Sequence, residues 1–384
     1  MRPRTLFVVL LAAAALVLAL WQPWAAPQPD LSAQVLAAAT PAPGFARADE
    51  PRSFTFPEDF GPHPKYQTEW WYYTGHLQTA DGRQFGYQLT FFRRALAPAG
   101  MRVERPSAWA TDQIYMAHFA LTDVAGEAFY AFERFSRGAA GLAGAQALPY
   151  RVWLEDWHVE QNEDGSFHMQ AAVDGISLDL TLSEEKAPVL QGEAGYSQKG
   201  PAAGDASYYY SQTRLATRGS LSLNGDSFDV EGLSWKDHEF STSALTAEQQ
   251  GWDWFSIQLD NGYELMVFQL RHRDGSLDPF SSGTLVAPDG STTHLALDDF
   301  SIEALDAWRS PHSGASYPMG WRIRVPSADL ELELQPLLRD QELGLSFVYW
   351  EGAVEVGGSF GGAAVAGQGY VEMTGYLEAM GGQF

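Results

Sequence analysis

The sequence predicts an all-β chain: two antiparallel β-barrels in tandem, behind an N-terminal export or anchor segment. Three observations carry this. Apolar and polar residues alternate with period two in run after run beyond residue 53. Asn-Gly and Asp-Gly pairs punctuate those runs. Landmarks of the first half recur in the second.

In chain order, Arg2 and Arg4 precede an unbroken apolar run from Thr5 to Leu20. That run is shorter than a comfortable membrane span and suits a signal peptide. Trp21 and Trp24 also suit the interface of an uncleaved anchor. Residues 1–27 are therefore expected to export the chain to the periplasm or cell envelope, either cleaved or holding it to the inner membrane. Residues 28–53 are rich in Ala and Pro and read as a linker, with ordered sequence starting near Phe54.

Beyond it, Phe85, Tyr87, Leu89 and Phe91 alternate with Gln84, Gly86, Gln88 and Thr90. Tyr115, Ala117, Phe119 and Leu121 alternate in the same way, as do Leu330, Leu332 and Leu334. Turn dipeptides stand at Asp81-Gly82, Asp164-Gly165, Asp174-Gly175, Asn224-Gly225, Asn261-Gly262, Asp274-Gly275 and Asp289-Gly290. Such pairs tolerate positive φ and suit hairpins of type I′. No long amphipathic helix follows residue 50, which disfavours a parallel βαβ fold.

The hairpin opened by Trp70-Trp71-Tyr72-Tyr73 has a counterpart in Trp252-Asp253-Trp254-Phe255. Leu178 to Leu182 is echoed by Leu330 to Leu334, and Gly219-Ser220 by Gly358-Ser359. These echoes imply two copies of one unit, at 54–244 and 245–384. Closing each into a barrel removes its sheet edges and leaves room for one small ligand.

The chain carries 24 basic and 48 acidic residues, a net charge of −24. So acidic a surface repels phosphate backbones, which excludes nucleic acid as a partner. The absence of cysteine excludes disulfides, thiolate metal sites and thiol nucleophiles. Thirteen Trp, 16 Tyr and 22 Phe supply rings enough to line a pocket for an apolar ligand.

The densest group of proton-moving side chains is Gly232 to Ser241, with Asp237, His238 and Glu239 beside Lys236 and Phe240. On a strand, Asp237 and Glu239 share one face while His238 takes the other with Lys236 and Phe240. The adjacency is therefore not a dyad in itself, and a partner for His238 must come from elsewhere. Glu69 is the first candidate, an acid before four rings whose pKa rises if it is buried; its plainer reading is a solvated strand end. His76 and His118 read as structural strand histidines. No nucleophile elbow, phosphate loop or His-x-His pair occurs, so neither a metal nor a cofactor is expected.

Four stretches resemble one known family: Glu69 to Leu77, Trp235 to Ser241, Gly251 to Phe255, and Gly367 to Tyr376. Together they are similar to the carotenoid hydratase (hydroxyneurosporene synthase)/AttH-like family, tandem lipocalin-like proteins often labelled predicted secreted hydrolases. The similarity runs from about residue 54 to the C-terminus. It implies two lipocalin-like barrels and an acid–base role for His238, with Asp237, Glu239 or Glu69 as partner. Trp70, Trp71, Tyr72, Tyr115, Trp235, Phe240, Trp252 and Trp254 are the expected aromatic sleeve. Carotenoid hydratases pair that His with a Trp two residues on and a downstream Tyr-x-Asp. Here the positions hold Phe240 and Val267-Phe268-Gln269-Leu270, which argues against carotenoid hydration itself.

The expected function is an exported hydratase or hydrolase acting by acid–base chemistry at His238 on an elongated isoprenoid- or lipid-like substrate. The alternative is a non-catalytic carrier of an apolar ligand, working with an ABC-type envelope transporter as the resemblance implies. A purely structural scaffold ranks last. Whether a pocket lies within one barrel or between two is open at this level.

Overall fold

The computed structural model describes residues 43–101, 106–243 and 245–380. The expected signal or anchor segment, and the linker as far as residue 42, lie outside them. No helix among the described residues is long and apolar enough to cross a membrane.

The first sheet comprises β1 (Thr68–Gln78), β2 (Gln84–Ala95), β3 (Gln113–Asp123), β4 (Ala128–Arg137), β5 (Ala143–Gln146), β6 (Arg151–Leu154), β7 (Trp157–Gln161), β8 (Phe167–Val173), β9 (Ile176–Glu184), β10 (Val189–Leu190), β11 (Tyr196–Gln198), β12 (Ala206–Leu223) and β13 (Asp226–Ser241). The second comprises β14 (Gln249–Leu259), β15 (Glu264–His272), β16 (Ser282–Val286), β17 (Thr292–Ala296), β18 (Ser301–Arg309), β19 (Ser316–Val325), β20 (Leu330–Pro336), β21 (Glu342–Gly344), β22 (Val348–Phe360) and β23 (Ala363–Met373). Both are antiparallel and curl around their own cores.

Their orders are the same topology written twice. The first runs β4-β3-β2-β1-β13-β12-β9-β8-β7-β6-β5, the second β17-β16-β15-β14-β23-β22-β20-β19-β18. In each, the opening strand pairs with both its hairpin partner and the closing strand. Gly219 lies opposite Leu180, and Gly358 opposite Leu332. A Cβ at either glycine would stand 2.1 Å from a carbonyl oxygen, that of Asp179 or of Glu331. The echoed Gly-Ser pairs thus mark equivalent close approaches of two strands.

All seven turn dipeptides join consecutive strands. Only Asp174-Gly175 and Asn224-Gly225 have positive φ at both positions, as a type I′ turn requires. At the other five only the glycine does, because those connections are longer and need a single left-handed residue.

Strand alternation fills each interior. On β1, Trp71, Tyr73 and Leu77 enter the first core, where they meet Tyr87, Phe91, Trp157 and Phe167. Arg134 of the edge strand β4 stacks 4.2 Å over Trp157 and donates to Ala172 O at 3.1 Å, so the sheet curls back on itself. Each such ring withdrawn from water contributes roughly 2–3 kcal/mol. The second core is filled likewise, around Phe255, Trp321 and Trp350. The packed chain also begins before Phe54. Phe45 is 9% and Ala48 0% exposed, and Ala48 rests against Ala206, Tyr208 and Phe240. These apolar residues were masked by the Ala-rich composition around them.

The opposite faces of the central strands pack sheet against sheet. Trp254 of β14 donates to Tyr209 Oη at 3.1 Å and meets the Tyr72 ring edge-on at 5.2 Å. Gln258 donates to Thr213 O and Ser234 O, at 2.8 and 3.0 Å. Glu264, fully buried, holds Lys186 at 2.7 Å and Arg214 at 2.5 Å. These bonds fix the two halves as one unit around the space they enclose.

Candidate active site

Strand β13 decides where the chemistry lies. Trp235, Asp237 and Glu239 point toward the second sheet, whereas Lys236, His238 and Phe240 point into the first barrel. The fold therefore separates His238 from both neighbouring acids. A cavity of about 110 Å³ opens between the two sheets, on the acid side. Asp237, Glu239, Tyr72, Tyr209, Gln88 and His118 line it from the first half. Trp254, Phe268, Tyr349, Glu351 and Glu372 line it from the second, with the half-buried Trp70, Phe92 and Trp252 also in its wall.

Four carboxylates in an aromatic chamber cannot all carry charge. Asp237 accepts from Ser211 Oγ at 2.5 Å, Tyr209 Oη at 2.7 Å and Trp235 Nε1 at 2.7 Å. Burial outweighs those donors and pushes it up to about 7. Glu372 accepts from Trp252 Nε1 at 2.9 Å. Burial, with Asp237 and Glu239 adding repulsion, raises it to about 8. Glu351 is the direct cross-strand partner of Glu372. Burial and then Glu372 hold it well above the usual carboxylate range. No hydrogen bond of full geometry reaches either Glu351 oxygen, Tyr72 Oη or Gln88 Oε1, although the Tyr72 and Tyr349 hydroxyls lie near enough to Glu351 to favour its charge in part. Buried polar atoms left short of a full hydrogen bond are rare and costly; here four of them line one cavity.

The duplication explains the arrangement. Gly232 lies opposite Leu77 on β1, and Gly367 opposite Leu259 on β14. Five residues on, Asp237 and Glu372 occupy equivalent positions of the two halves. The cavity is thus faced by a matched pair of acids, one from each copy.

A path of hydrogen bonds connects the cavity to the outside. Tyr349 Oη is 2.8 Å from His118 Nδ1, and His118 Nε2 is 3.0 Å from Glu133 Oε1. Glu133, partly open to solvent, also accepts from Ser346. His118 does alternate away from the ring-bearing face of β3, as expected, but the face it occupies is the cavity's.

His238 and Glu69 meet elsewhere. His238 Nε2 is 2.9 Å from Glu69 Oε1, and its Nδ1 is 2.9 Å from Tyr210 Oη. Glu69 also holds His63 Nδ1 at 2.8 Å and Arg93 Nε at 2.8 Å. Glu69 is 1% exposed, not a solvated strand end. Its pKa is not raised either: burial acts upward, but Arg93, His238 and His63 hold it well below the usual range. Burial takes His238 down to about 4 despite Glu69, so it is neutral. Burial opposes a proton on His63 too, but Asp59 and Glu69 outweigh it and raise its pKa. Ligand atoms of His63, Glu69 and His238 lie within 4.8 Å of one another. Arg93 on the same carboxylate already supplies the cation, so the group reads as a closed ion-pair knot.

Of the residues singled out from sequence, Asp237, Glu239, Trp70, Tyr72, Trp252 and Trp254 line the cavity. Trp235 lies behind it, bonded to Asp237. His238, Glu69, Trp71, Phe240 and Tyr115 lie on the barrel-core side of their strands instead. Trp71 and Tyr115 belong to the first core, and Phe240 stacks on His63 at 3.6 Å. Glu351, Glu372, Tyr209, Tyr349 and His118 were missed as site residues. A signal existed for Glu372, which is brought level with Asp237 when the halves are aligned on Leu77 and Leu259.

Residues 47–376 match the AttH-like family. The chain belongs to the AttH-like family. The crystal structure of an AttH protein from Nitrosomonas europaea is similar to this AttH-like chain at 35% identity and a TM-score of 0.77, over 89% of this chain and 100% of the other. Kievitone hydratase from Nectria haematococca shares the fold at 14% identity and a TM-score of 0.65, covering 87% and 98%. A dehydratase, asqC of Emericella nidulans, is 22% identical over 220 residues, 54% of this chain and 61% of the dehydratase. The AttH-like chain thus has relatives of hydratase type, and the match spans about three fifths of the dehydratase's length.

Proposed function

We propose that this AttH-like protein is a cofactor-independent hydratase or dehydratase, acting on the end of an apolar, isoprenoid- or lipid-like molecule held between its two sheets. The observation that carries the reading is the set of buried, incompletely satisfied polar atoms in a ring-lined cavity, beside acids whose pKa values reach about 7 and about 8. Such acids can both give and take a proton near neutral pH. In the dehydrating direction, protonated Glu372 donates to the departing hydroxyl and ionised Asp237 takes a proton from the neighbouring carbon. The C–O bond breaks, the C=C bond forms and water leaves; hydration is the reverse. The cycle closes when Asp237 gives up its proton and Glu372 regains one, and the Tyr349–His118–Glu133 path exchanges such protons with solvent. Ring faces stabilise developing positive charge on carbon.

The cavity's volume narrows the substrate. An apolar cavity of about 150 Å³ holds one benzene, so about 110 Å³ takes a small ring or a short branched segment. An elongated substrate would insert one end and leave the remainder outside.

The test is turnover of a panel of apolar alcohols and their matching alkenes and enones in heavy-oxygen water, followed by mass spectrometry. Gain or loss of one water by the wild type, abolished in Asp237→Asn and Glu372→Gln, is the expected result. Binding of panel members without any mass change would instead support a carrier and sink the enzyme reading.

A further inference from the structure

A second set of ligand-bearing side chains converges on the outer wall of the first barrel. His158 and Glu160 stand two residues apart on β7 and share the face opposite Val159, which enters the core. His168 on β8 is the direct cross-strand partner of Glu160. One ligand atom from each lies within 4.8 Å of the others, and the two imidazoles are 5.4 Å apart. All three are half-buried, so they are reachable yet held in place. None of them lines the inter-sheet cavity.

We propose that His158, Glu160 and His168 form a binding site for a borderline divalent cation, Zn²⁺ or Cu²⁺. Two imidazoles and a carboxylate suit these ions and not Mg²⁺ or Ca²⁺, which prefer oxygen. Zinc–nitrogen bonds of about 2 Å require the ligands to close by small rotations from the present spacing. The rings are already oriented for it. His158 Nδ1 lies 3.2 Å from Asp156 O, and His168 Nε2 lies 3.1 Å from Asp179 Oδ1. Donation from one nitrogen to a carbonyl or carboxylate leaves a lone pair on the other, the outer-shell pattern of metal-bound histidines. The competing cation is Arg151, 3.3 Å from Glu160 Oε2; that pair is exposed and weak, so a metal displaces it. The Glu69 knot is the poorer candidate, because Arg93 already neutralises its carboxylate. With three protein ligands the ion keeps an open position, and it would clip β7 to β8.

The test is a calorimetric titration of the full chain, stripped with chelator and desalted, with zinc sulfate and then with copper sulfate. One equivalent should bind at neutral pH. Binding should be lost in the His158→Ala/His168→Ala double variant and weakened about tenfold in Asp179→Asn. The variants lie on the outer face, so melting of the metal-free protein should be unchanged. No saturable binding to the wild type, or undiminished binding to the double variant, overturns the proposal.

Discussion

Glu351 and Glu372 stand directly opposite each other on β22 and β23, Glu351 buried and Glu372 half-buried. Like charges at facing positions of a sheet are destabilising. The pair therefore holds at least one proton at neutral pH, and its titration belongs to the pair rather than to either acid. The cavity is acidic in the chemical sense while the surface is acidic in the ionised sense.

This gives a pH dependence with a defined sign. The folded protein keeps the Glu372 proton from the acid's ordinary value of 4.5 up to about 8. Across that window the native state binds more protons than the unfolded chain, so this contribution to stability falls as pH rises. Gln at 372 is a neutral isostere of the protonated acid. The stability of wild type relative to Glu372→Gln, from urea melts at a series of pH values, should fall between about 4.5 and about 8. His238 acts the opposite way, because its folded pKa of about 4 is below the ordinary 6.5, and taking the difference between the two proteins removes that background. Part of the slope survives in the variant, since Glu351 then titrates alone. A flat difference curve would mean that Glu372 is ionised in the fold.

The Glu133–His118–Tyr349 path predicts a positioning role that simple packing would not show. His118→Gln keeps a hydrogen-bonding side chain in the space but removes the proton carrier. In the water-addition assay it should lower kcat by about 10²-fold, at the low end of acid–base effects, with KM little changed. Tyr349→Phe should do the same and shift the pH profile. A structural role alone would lower the melting temperature and leave the profile in place.

For His238 the geometry predicts a stability effect instead. It is sealed behind β13, with Glu69 and Tyr210 as partners. His238→Ala takes one hydrogen bond from each, though Glu69 keeps His63 and Arg93 and Tyr210 keeps Asp59 O, and with the space it empties should cost about 1–3 kcal/mol by chemical denaturation. Glu69→Ala should cost more, about 3–5 kcal/mol, because it strands the Arg93 guanidinium, which is 1% exposed. Turnover per folded molecule should survive both. Abolished turnover in a fully folded His238→Ala protein would restore the role that the sequence suggested.

Much of the fold was legible because it repeats a local rule. Alternation on β13 separated Asp237 and Glu239 from His238 without any coordinates, and the paired landmarks Gly219/Gly358 and Leu178–Leu182/Leu330–Leu334 gave the duplication. Glu69 beside His238 was within reach too, as an acid among rings on a strand that could meet β13. The cavity was not legible. Which face of β13 borders it depends on how one sheet packs on the other, and no period in the sequence encodes that. Glu351 becomes notable only through its register with Glu372, a pairing fixed by a hairpin that turns at Gly361 and Gly362. His118 looked structural because Tyr349, its link to the cavity, comes from the second sheet, while Glu133, directly opposite on β4, reads by itself as an ordinary cross-strand pair.

Lys236 is the last unresolved charge and gives the cleanest stability test. It enters the first barrel and is fully buried, with no hydrogen-bond partner for Nζ. Rings surround it: Phe60 at 4.5 Å, Tyr150 at 4.8 Å, Phe167 at 5.3 Å, Tyr210 at 5.6 Å and Tyr73 at 5.8 Å. Cation–π attraction offsets part of the desolvation. Burial still brings its pKa down to about 7, with Glu184 opposing only weakly. Because the folded pKa is below the ordinary 10.5, the native state binds fewer protons between about 7 and 10.5, and this contribution to stability rises with pH across that window. Lys236→Met fills the same space without the charge. It should stabilise the protein by about 1–4 kcal/mol, the range found when buried ion pairs give way to apolar residues of similar volume. The gain should be largest below pH 7 and shrink as pH approaches 10.5. Denaturation of both proteins at pH 6 and pH 9.5 measures it, and a loss of stability at pH 6 would show that the ring cage binds the ammonium more strongly than water does.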